Sequence, residues 1–198
     1  MSRTSTFAAT TFACLMSVAA SAAPITYSAV LSGPAESPPN ASPGTGTALV
    51  TYDPTLHTLL VDASFSGLLG TTTASHIHCC TTTPLTGTAG VATQTPTFPG
   101  FPLGVTSGTY KPSAFDLTLA SSWNAAFITA SGGTTAGAEA RLAAALQAGT
   151  SYFNVHTSQF GGGEIRGFLQ PATAPEPITA SLFGLGLGGW VLARRRRR

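Results

Sequence analysis

The segment Ser151–Gln170, with the sequence SYFNVHTSQFGGGEIRGFLQ, constrains the fold more than any other part of the chain. Side chains alternate in character along Tyr152–Thr157, which predicts a strand. The three glycines at 161–163 tolerate positive φ and predict a tight turn. Glu164–Leu169 is then the returning strand of a hairpin. One face of its first strand is expected to carry Tyr152, Asn154 and His156.

Similar short alternating segments recur between turn residues through the body of the chain. We predict strands at Ile25–Ser32, Thr47–Asp53, Thr58–Leu68 and Ala74–Cys80. An alanine-rich helix is expected at Thr135–Ala148, ended by Gly149, with a shorter helical piece near Ser121–Thr129. Thr81–Lys111 contains four prolines and is expected to be mostly loop. The pattern predicts a mainly β fold, an antiparallel β-sandwich with one or two short helices.

Both ends of the chain have the character of targeting segments. Met1–Ala23 has an early arginine, an apolar centre and small residues at its end, which is typical of a secretory signal peptide. At the other end, Ile178–Ala193 is a run without charge that precedes the arginines at 194–198. As a helix its sixteen residues span about 24 Å, shorter than the roughly 30 Å hydrocarbon core of a bilayer. We expect three parts, at 1–23, 24–171 and 172–198.

The C-terminal segment resembles the PEP-CTERM sorting signal of Gram-negative bacteria. The resemblance rests on the Pro-Glu-Pro motif, the glycine-rich hydrophobic segment and the basic end. It implies recognition by an exosortase, transient insertion of the short helix as a transmembrane anchor in the inner membrane, and delivery to the cell surface or extracellular matrix. The arginines are expected on the cytoplasmic side. The residues that carry this signal are Pro175, Glu176, Pro177, Arg194, Arg195 and Arg196.

The charge of the body excludes one class of partner. Residues 24–171 contain three basic and six acidic side chains, a net charge of −3, and the basic excess of the whole chain lies at its ends. A surface of this kind does not follow a phosphate backbone, so nucleic acid is excluded as a partner. The body also lacks a Gly-x-Ser-x-Gly elbow, a phosphate loop and a His-Glu-x-x-His helix, so no catalytic or cofactor-binding residue is predicted.

Four segments of the body together resemble the CHRD domain, the module named after chordin. They are Ala74–His78, Leu142–Gly149, Tyr152–Thr157 and Gly163–Gly167. The resemblance implies an extracellular fold similar to immunoglobulin or superoxide dismutase domains. In the family a Gly-Pro pair usually follows the His-x-His segment, whereas this chain has Cys79 and Cys80 there.

The histidines of these segments form a candidate metal site. His76 and His78 are two apart on a predicted strand, so both imidazoles point to one face. His156 completes a three-histidine site if the two strands meet, and this donor set suits copper or zinc. Glu164 is a candidate to orient one imidazole. The alternative is a polar patch in which the histidines bond to the backbone.

Three further features of the sequence carry expectations. The adjacent Cys79 and Cys80 leave open a vicinal disulfide, an intermolecular bridge, free thiols or metal ligation. Glu164 and Arg166 are two apart and predict a surface ion pair, and His57 follows a turn and is expected in solvent.

Taken together, the sequence predicts an exported module sorted to the cell surface or matrix. Its first expected role is non-enzymatic binding or scaffolding, with a matrix polysaccharide or a surface protein as partner. The alternative is a copper- or zinc-binding metalloprotein, with or without redox activity.

Overall fold

Antiparallel strands dominate the computed structural model, which describes residues 22–111 and 114–172. The predicted mainly β class is confirmed, since a curled antiparallel sheet is accompanied by two short α-helices within these residues. The strands are β1 Ile25–Ser32, β2 Thr45–Asp53, β3 Thr58–Ser66, β4 Thr72–Cys79, β5 Gly108–Tyr110, β6 Phe115–Asp116, β7 Ser151–Thr157, β8 Ile165–Phe168 and β9 Gln170–Pro171. The helices are α1 Ala125–Ala130 and α2 Thr135–Ala148, preceded by a 3₁₀ turn at Ala120–Ser122.

The strand order places the two halves of the chain side by side. The sheet runs β4-β7-β8-β1-β2-β3-β5, with β6 paired to β3 and β9 paired to β1. β1, β2 and β3 form a meander, in which a loop of twelve residues joins β1 to β2 and a four-residue turn joins β2 to β3. β7 and β8 form the hairpin predicted from the glycine-rich turn. β7 pairs with β4 on its other side, so residues some 80 positions apart in the sequence become neighbours.

Most predicted elements are found close to their expected bounds. β1 and α2 coincide with the predictions, and Gly149 ends α2 in the left-handed conformation, with φ 67°. The shorter predicted helix is divided into the 3₁₀ turn and α1, because Asn124 caps a new helix after Trp123. The expected loop at 81–111 contains β5, whose three residues pair with β3.

Alternation along the strands separates a buried apolar face from the other face. On β3 the alternate side chains Leu59, Val61, Ala63 and Phe65 are all buried. Ile77 of β4 and Phe153 of β7 have no exposed surface and continue this core across the sheet. Burying side chains of this size stabilises a fold by about 1.5–3 kcal/mol each. The alternation of side chains along β4 and β7 therefore determines which of their residues lie on the opposite face of the sheet.

A polar contact ties α2 to the first meander. Glu139 of α2 accepts a hydrogen bond from the Tyr52 hydroxyl at 2.9 Å and lies 3.0 Å from Nδ1 of His57. The side chain of His57 is half exposed, as expected, and its Nδ1 is also paired with Glu139. The sequence gives no indication of this pairing, because the return of the helix to this turn is a tertiary contact.

Glu164, immediately before β8, bonds to three separate segments of the chain. Its carboxylate is fully buried and accepts hydrogen bonds from the Ser42 and Thr157 hydroxyls and from the backbone N–H groups of Leu69 and Gly70. Burial alone raises the pKa of a carboxyl, but these hydrogen bonds together hold the pKa of Glu164 below its usual value. Because both carboxylate oxygens bond to these hydroxyl and backbone donors, Glu164 does not orient an imidazole, contrary to expectation.

The expected surface ion pair between Glu164 and Arg166 is also wrong. Both side chains are buried, and the guanidinium of Arg166 donates to the carbonyl oxygens of Ala35 and Gly87 and lies 3.8 Å from Glu36. Glu164 and Arg166 therefore bond to different segments of the chain and not to each other.

Within residues 22–111 and 114–172, neither helix is long and apolar enough to cross a membrane. The helix expected at 178–193 and the sorting residues lie outside the described part of the chain.

We expect Glu164→Ala to lower the free energy of unfolding by about 3 kcal/mol or more, because it leaves four donors, three of them buried, without an acceptor. Urea unfolding followed by circular dichroism measures the change. Asp62→Ala, which removes a partly exposed carboxylate from β3, is the matched control and should change stability by less than about 0.5 kcal/mol. Equal effects of the two substitutions would contradict the role assigned to Glu164.

Candidate metal centre

Three histidines meet on the face of β4 and β7 that is opposite the apolar core. His76 and His78 lie on β4, and His156 lies on β7 opposite Ala74. The strand pairing puts Asn154 opposite His76, and Tyr152 opposite His78. The two histidines of β4 are buried and His156 is partly buried. The structure thus brings together the three residues singled out in the sequence.

The spacing of the three rings matches that of imidazoles around one ion. Their centroids are 5.2, 5.6 and 5.9 Å apart. An imidazole nitrogen binds zinc at about 2.0–2.1 Å, which places ring centres about 5.2 Å apart in a tetrahedral site and about 5.5 Å apart in a trigonal one. One nitrogen from each ring lies within 4.8 Å of the others.

Backbone carbonyls hold the outer nitrogen of each ring. Nε2 of His76 bonds to the carbonyl of Pro96 at 2.8 Å, and Nδ1 of His78 to that of Ala89 at 2.9 Å. Nδ1 of His156 bonds to the carbonyl of Gly161 at 3.0 Å. A carbonyl can only accept, so each of these nitrogens carries the proton and the other nitrogen of the ring presents a lone pair. This is the arrangement in which histidines ligate metals.

The inner nitrogens have no hydrogen-bond partner. Nδ1 of His76, Nε2 of His78 and Nε2 of His156 are all buried. A buried polar atom without a partner destabilises a protein by about 1–3 kcal/mol. One water molecule has two protons and leaves one of the three lone pairs unsatisfied, whereas one metal ion accepts all three.

Burial keeps the three imidazoles neutral. Burial is the main reason why the pKa of His76 and the pKa of His78 are each lowered to about 4. The hydrogen bonds to the carbonyls of Pro96 and Ala89 act in the opposite direction. The pKa of His156 is also lowered by burial. Metal ligation requires neutral imidazole, so the fold holds the residues in their binding state at neutral pH.

Aromatic and cationic neighbours support this face, and of these the sequence predicted only the position of Tyr152. The Tyr152 ring stacks on His78, with centroids 4.8 Å apart and an interplanar angle of 8°. The Tyr152 hydroxyl bonds to the backbone of Ala89, and Arg166 lies over the same ring at 4.8 Å. The alternation along Tyr152–Thr157 places Tyr152 on this face, but the contact with the loop at Ala89 is tertiary and has no local signal.

Comparison with models of known protein families gives two matches. The model of the CHRD domain matches residues 27–169, which is most of the chain and contains all three histidines. This chain belongs to the CHRD family. Searches of curated proteins and of solved structures give no significant match.

The second match concerns the segment that follows the CHRD domain. The model of the PEP-CTERM protein-sorting motif matches residues 173–198. This signal marks an exported protein that is anchored in the membrane and then processed by an exosortase for the cell surface. The CHRD domain of this chain is therefore carried by a secreted surface protein.

The two cysteines of the CHRD domain form a disulfide with each other. Cys79 ends β4 and is bonded to Cys80, so neither offers a thiolate to a metal. Cys79 is also buried in the apolar core, on the face opposite His78. Within the described residues, the only cluster of three or more metal-ligating side chains is the three-histidine cluster.

The pKa shifts predict a pH-dependent stability of the metal-free CHRD protein. The pKa of His76 and His78 is about 4 in the fold and about 6.5 in an unfolded chain, so the unfolded state binds more protons between these values. We therefore expect the free energy of unfolding to fall as the pH decreases from about 6.5 to about 4. Urea unfolding at pH 7, 6 and 5 with a chelator present measures this dependence. The slope of the free energy of unfolding against pH should be smaller in His78→Ala than in the wild-type protein. The same slope in both proteins would contradict the lowered pKa of His78.

Proposed function

We propose that this CHRD protein binds one copper or zinc ion at the cell surface through His76, His78 and His156. The observation that carries the proposal is the convergence of three buried imidazole nitrogens that have no hydrogen-bond partner. Their outer nitrogens are fixed by carbonyls of three different loop positions, so the lone pairs are directed inward.

The donor set narrows the choice of metal. Three imidazoles without a carboxylate among the ligands suit copper and zinc and do not suit calcium or magnesium, which prefer oxygen. Three protein ligands also leave a coordination position open, as in zinc sites that bind water or substrate.

Metal analysis of the full-length protein tests the proposal. We expect about one equivalent of copper or zinc to remain bound after dialysis, and His78→Ala and His76→Ala to lose it. His57→Ala is the matched control, because His57 pairs with Glu139 outside the cluster; it should retain the metal.

Thermal unfolding gives a second measurement of the same proposal. Metal at one hundred times its dissociation constant should add about 2.7 kcal/mol to the stability of the apo-protein. The proposal is overturned if the protein retains no metal and its unfolding does not respond to added Cu²⁺ or Zn²⁺. Equal metal loss in His57→Ala would also overturn it.

Binding to a surface protein, without catalysis, is a second candidate function, and one feature of the sheet supports it. A groove of about 800 Å³ crosses the outer face of β1, β2 and β8. Its lining includes Val30, Leu49 and Leu85, which are 77, 47 and 51 % exposed. Exposed apolar side chains in one groove are typical of a protein interface. They favour a surface protein over a matrix polysaccharide, which requires many hydrogen-bonding groups.

We expect a Val30→Asp, Leu49→Asp double variant to be released from the cell surface matrix into the medium more readily than the wild-type protein. Leu56→Asp is the control, since Leu56 is 68 % exposed in the turn after β2 and does not line the groove. Immunoblots of matrix and medium fractions measure the distribution. The same distribution for all three proteins would exclude the groove as a retention surface.

A further inference from the structure

The ligands of the three-histidine cluster supply no negative charge to a bound ion. The cluster contains three neutral imidazoles and, among the residues that the structure describes, no carboxylate. The disulfide between Cys79 and Cys80 leaves neither residue with a thiolate. An ion in this site therefore keeps its full formal charge, and the surroundings of the site decide which charge is tolerated.

A buried positive charge lies behind His78. The guanidinium carbon of Arg166 is 4.8 Å from the centre of the Tyr152 ring, and that ring is stacked 4.8 Å from the ring of His78. Adding the two distances places the guanidinium at most 9.6 Å from the centre of the His78 imidazole. Besides burial, which is the main cause, repulsion from Arg166 contributes to the lowered pKa of His78. The charge of Arg166 therefore acts on a ligand of the site.

Glu36 offsets the charge of Arg166 only in part. Its carboxylate lies 3.8 Å from Nε of Arg166. Burial raises the pKa of Glu36 to about 7, although Arg166 opposes the shift, so this carboxyl is incompletely ionised at neutral pH. The hydrogen-bond acceptors of the guanidinium are the neutral carbonyls of Ala35 and Gly87. This side of the site therefore keeps a positive charge.

The charges of the site favour a monovalent ion over a divalent one. The free energy of removing an ion from water rises with the square of its charge, so a dication costs about four times as much to bury as a monocation of the same size. Repulsion from Arg166 is about twice as strong for the dication. A carboxylate or thiolate ligand would offset these costs, and the cluster has neither. Copper has a stable monovalent state and zinc has none.

The triangle of rings also distinguishes the two oxidation states of copper. Cu²⁺ prefers square-planar or tetragonal ligands. Three imidazoles at the corners of a square, with metal–nitrogen bonds of about 2.0 Å, have ring centres about 4.5, 4.5 and 6.4 Å apart. The observed separations of 5.2, 5.6 and 5.9 Å are nearly equal and are close to the value of about 5.5 Å for a trigonal site. Cu⁺ has a filled d shell and accepts three ligands in a trigonal arrangement, whereas zinc almost always takes four.

We propose that the three-histidine site binds copper in the cuprous state, Cu⁺, and discriminates against Cu²⁺ and Zn²⁺. The inference rests on the proposed metal-binding function and specifies the ion. Neutral ligands, burial and the trigonal triangle of rings provide the preference, and the charge of Arg166 strengthens it from behind Tyr152.

Metal affinities of the full-length apo-protein test the preference. Competition with a coloured Cu⁺ chelator, under ascorbate and without oxygen, measures the dissociation constant for Cu⁺, and calorimetric titration measures those for Cu²⁺ and Zn²⁺. We expect Cu⁺ to be bound at least about tenfold more tightly than either dication.

Two variants make the site more negative by one charge. Arg166→Gln removes the guanidinium, and Asn154→Asp adds a carboxylate on β7 opposite His76. In each, the ratio of the Cu²⁺ to the Cu⁺ dissociation constant should fall at least about tenfold, which lowers the reduction potential of the bound copper by about 59 mV. Arg141→Gln is the matched control, because its guanidinium bonds to the end of α1, and it should keep the wild-type ratio.

The outcomes separate this inference from the proposed function. Tighter or equal binding of Cu²⁺ or Zn²⁺ by the wild-type protein overturns the preference and leaves the metal site intact. Failure to bind any of the three ions overturns both. An unchanged ratio in a folded Arg166→Gln or Asn154→Asp protein overturns the role of charge. Because both substitutions act in the same direction, a folding defect in one, seen by circular dichroism, leaves the other as the test.

Discussion

The pairing of β4 with β7 is the constraint on which the rest of the structure depends. Each strand alternates, so Ile77 and Phe153 enter the apolar core while their neighbours point to the other face. A shift of the register by one residue would place imidazoles in the core and phenylalanine among the loops, which burial energetics disfavours strongly. The burial of apolar side chains that stabilises the sheet therefore also sets the register, which aligns His76 with Asn154 and brings His156 beside the histidines of β4.

The second face is held by hydrogen bonds from loops. The carbonyl oxygens of Pro96, Ala89 and Gly161 each bond to one imidazole, and Arg166 donates to the carbonyls of Ala35 and Gly87. The loops supply these acceptors because their backbone groups are not used in the sheet ladder. The result is a set of neutral rings with a defined tautomer, held by segments that are far apart in sequence.

Local signals predicted the elements well, and tertiary contacts account for the failures. β1, α2 and the hairpin of β7 and β8 follow from alternation, alanine content and glycine turns, all of which act over a few residues. The common face of His76 and His78 follows from the same period of two. Glu164 was misassigned because a buried carboxylate bonded to four donors has the same local sequence pattern as an exposed one. The buried position of Glu36 beside Arg166 was not predicted, because Glu36 lies in an irregular loop, where side-chain direction has no periodicity.

The disulfide between Cys79 and Cys80 joins adjacent residues and therefore closes no loop in the chain. An ion held by His76 and His156 joins positions about 80 residues apart. Unlike a disulfide, a metal ion leaves the unfolded chain, so the proposed ion would stabilise the folded state by binding to it, in proportion to the logarithm of the free metal concentration. If the domain binds metal as proposed, the supply of metal outside the cell would then determine how long the folded chain resists proteolysis.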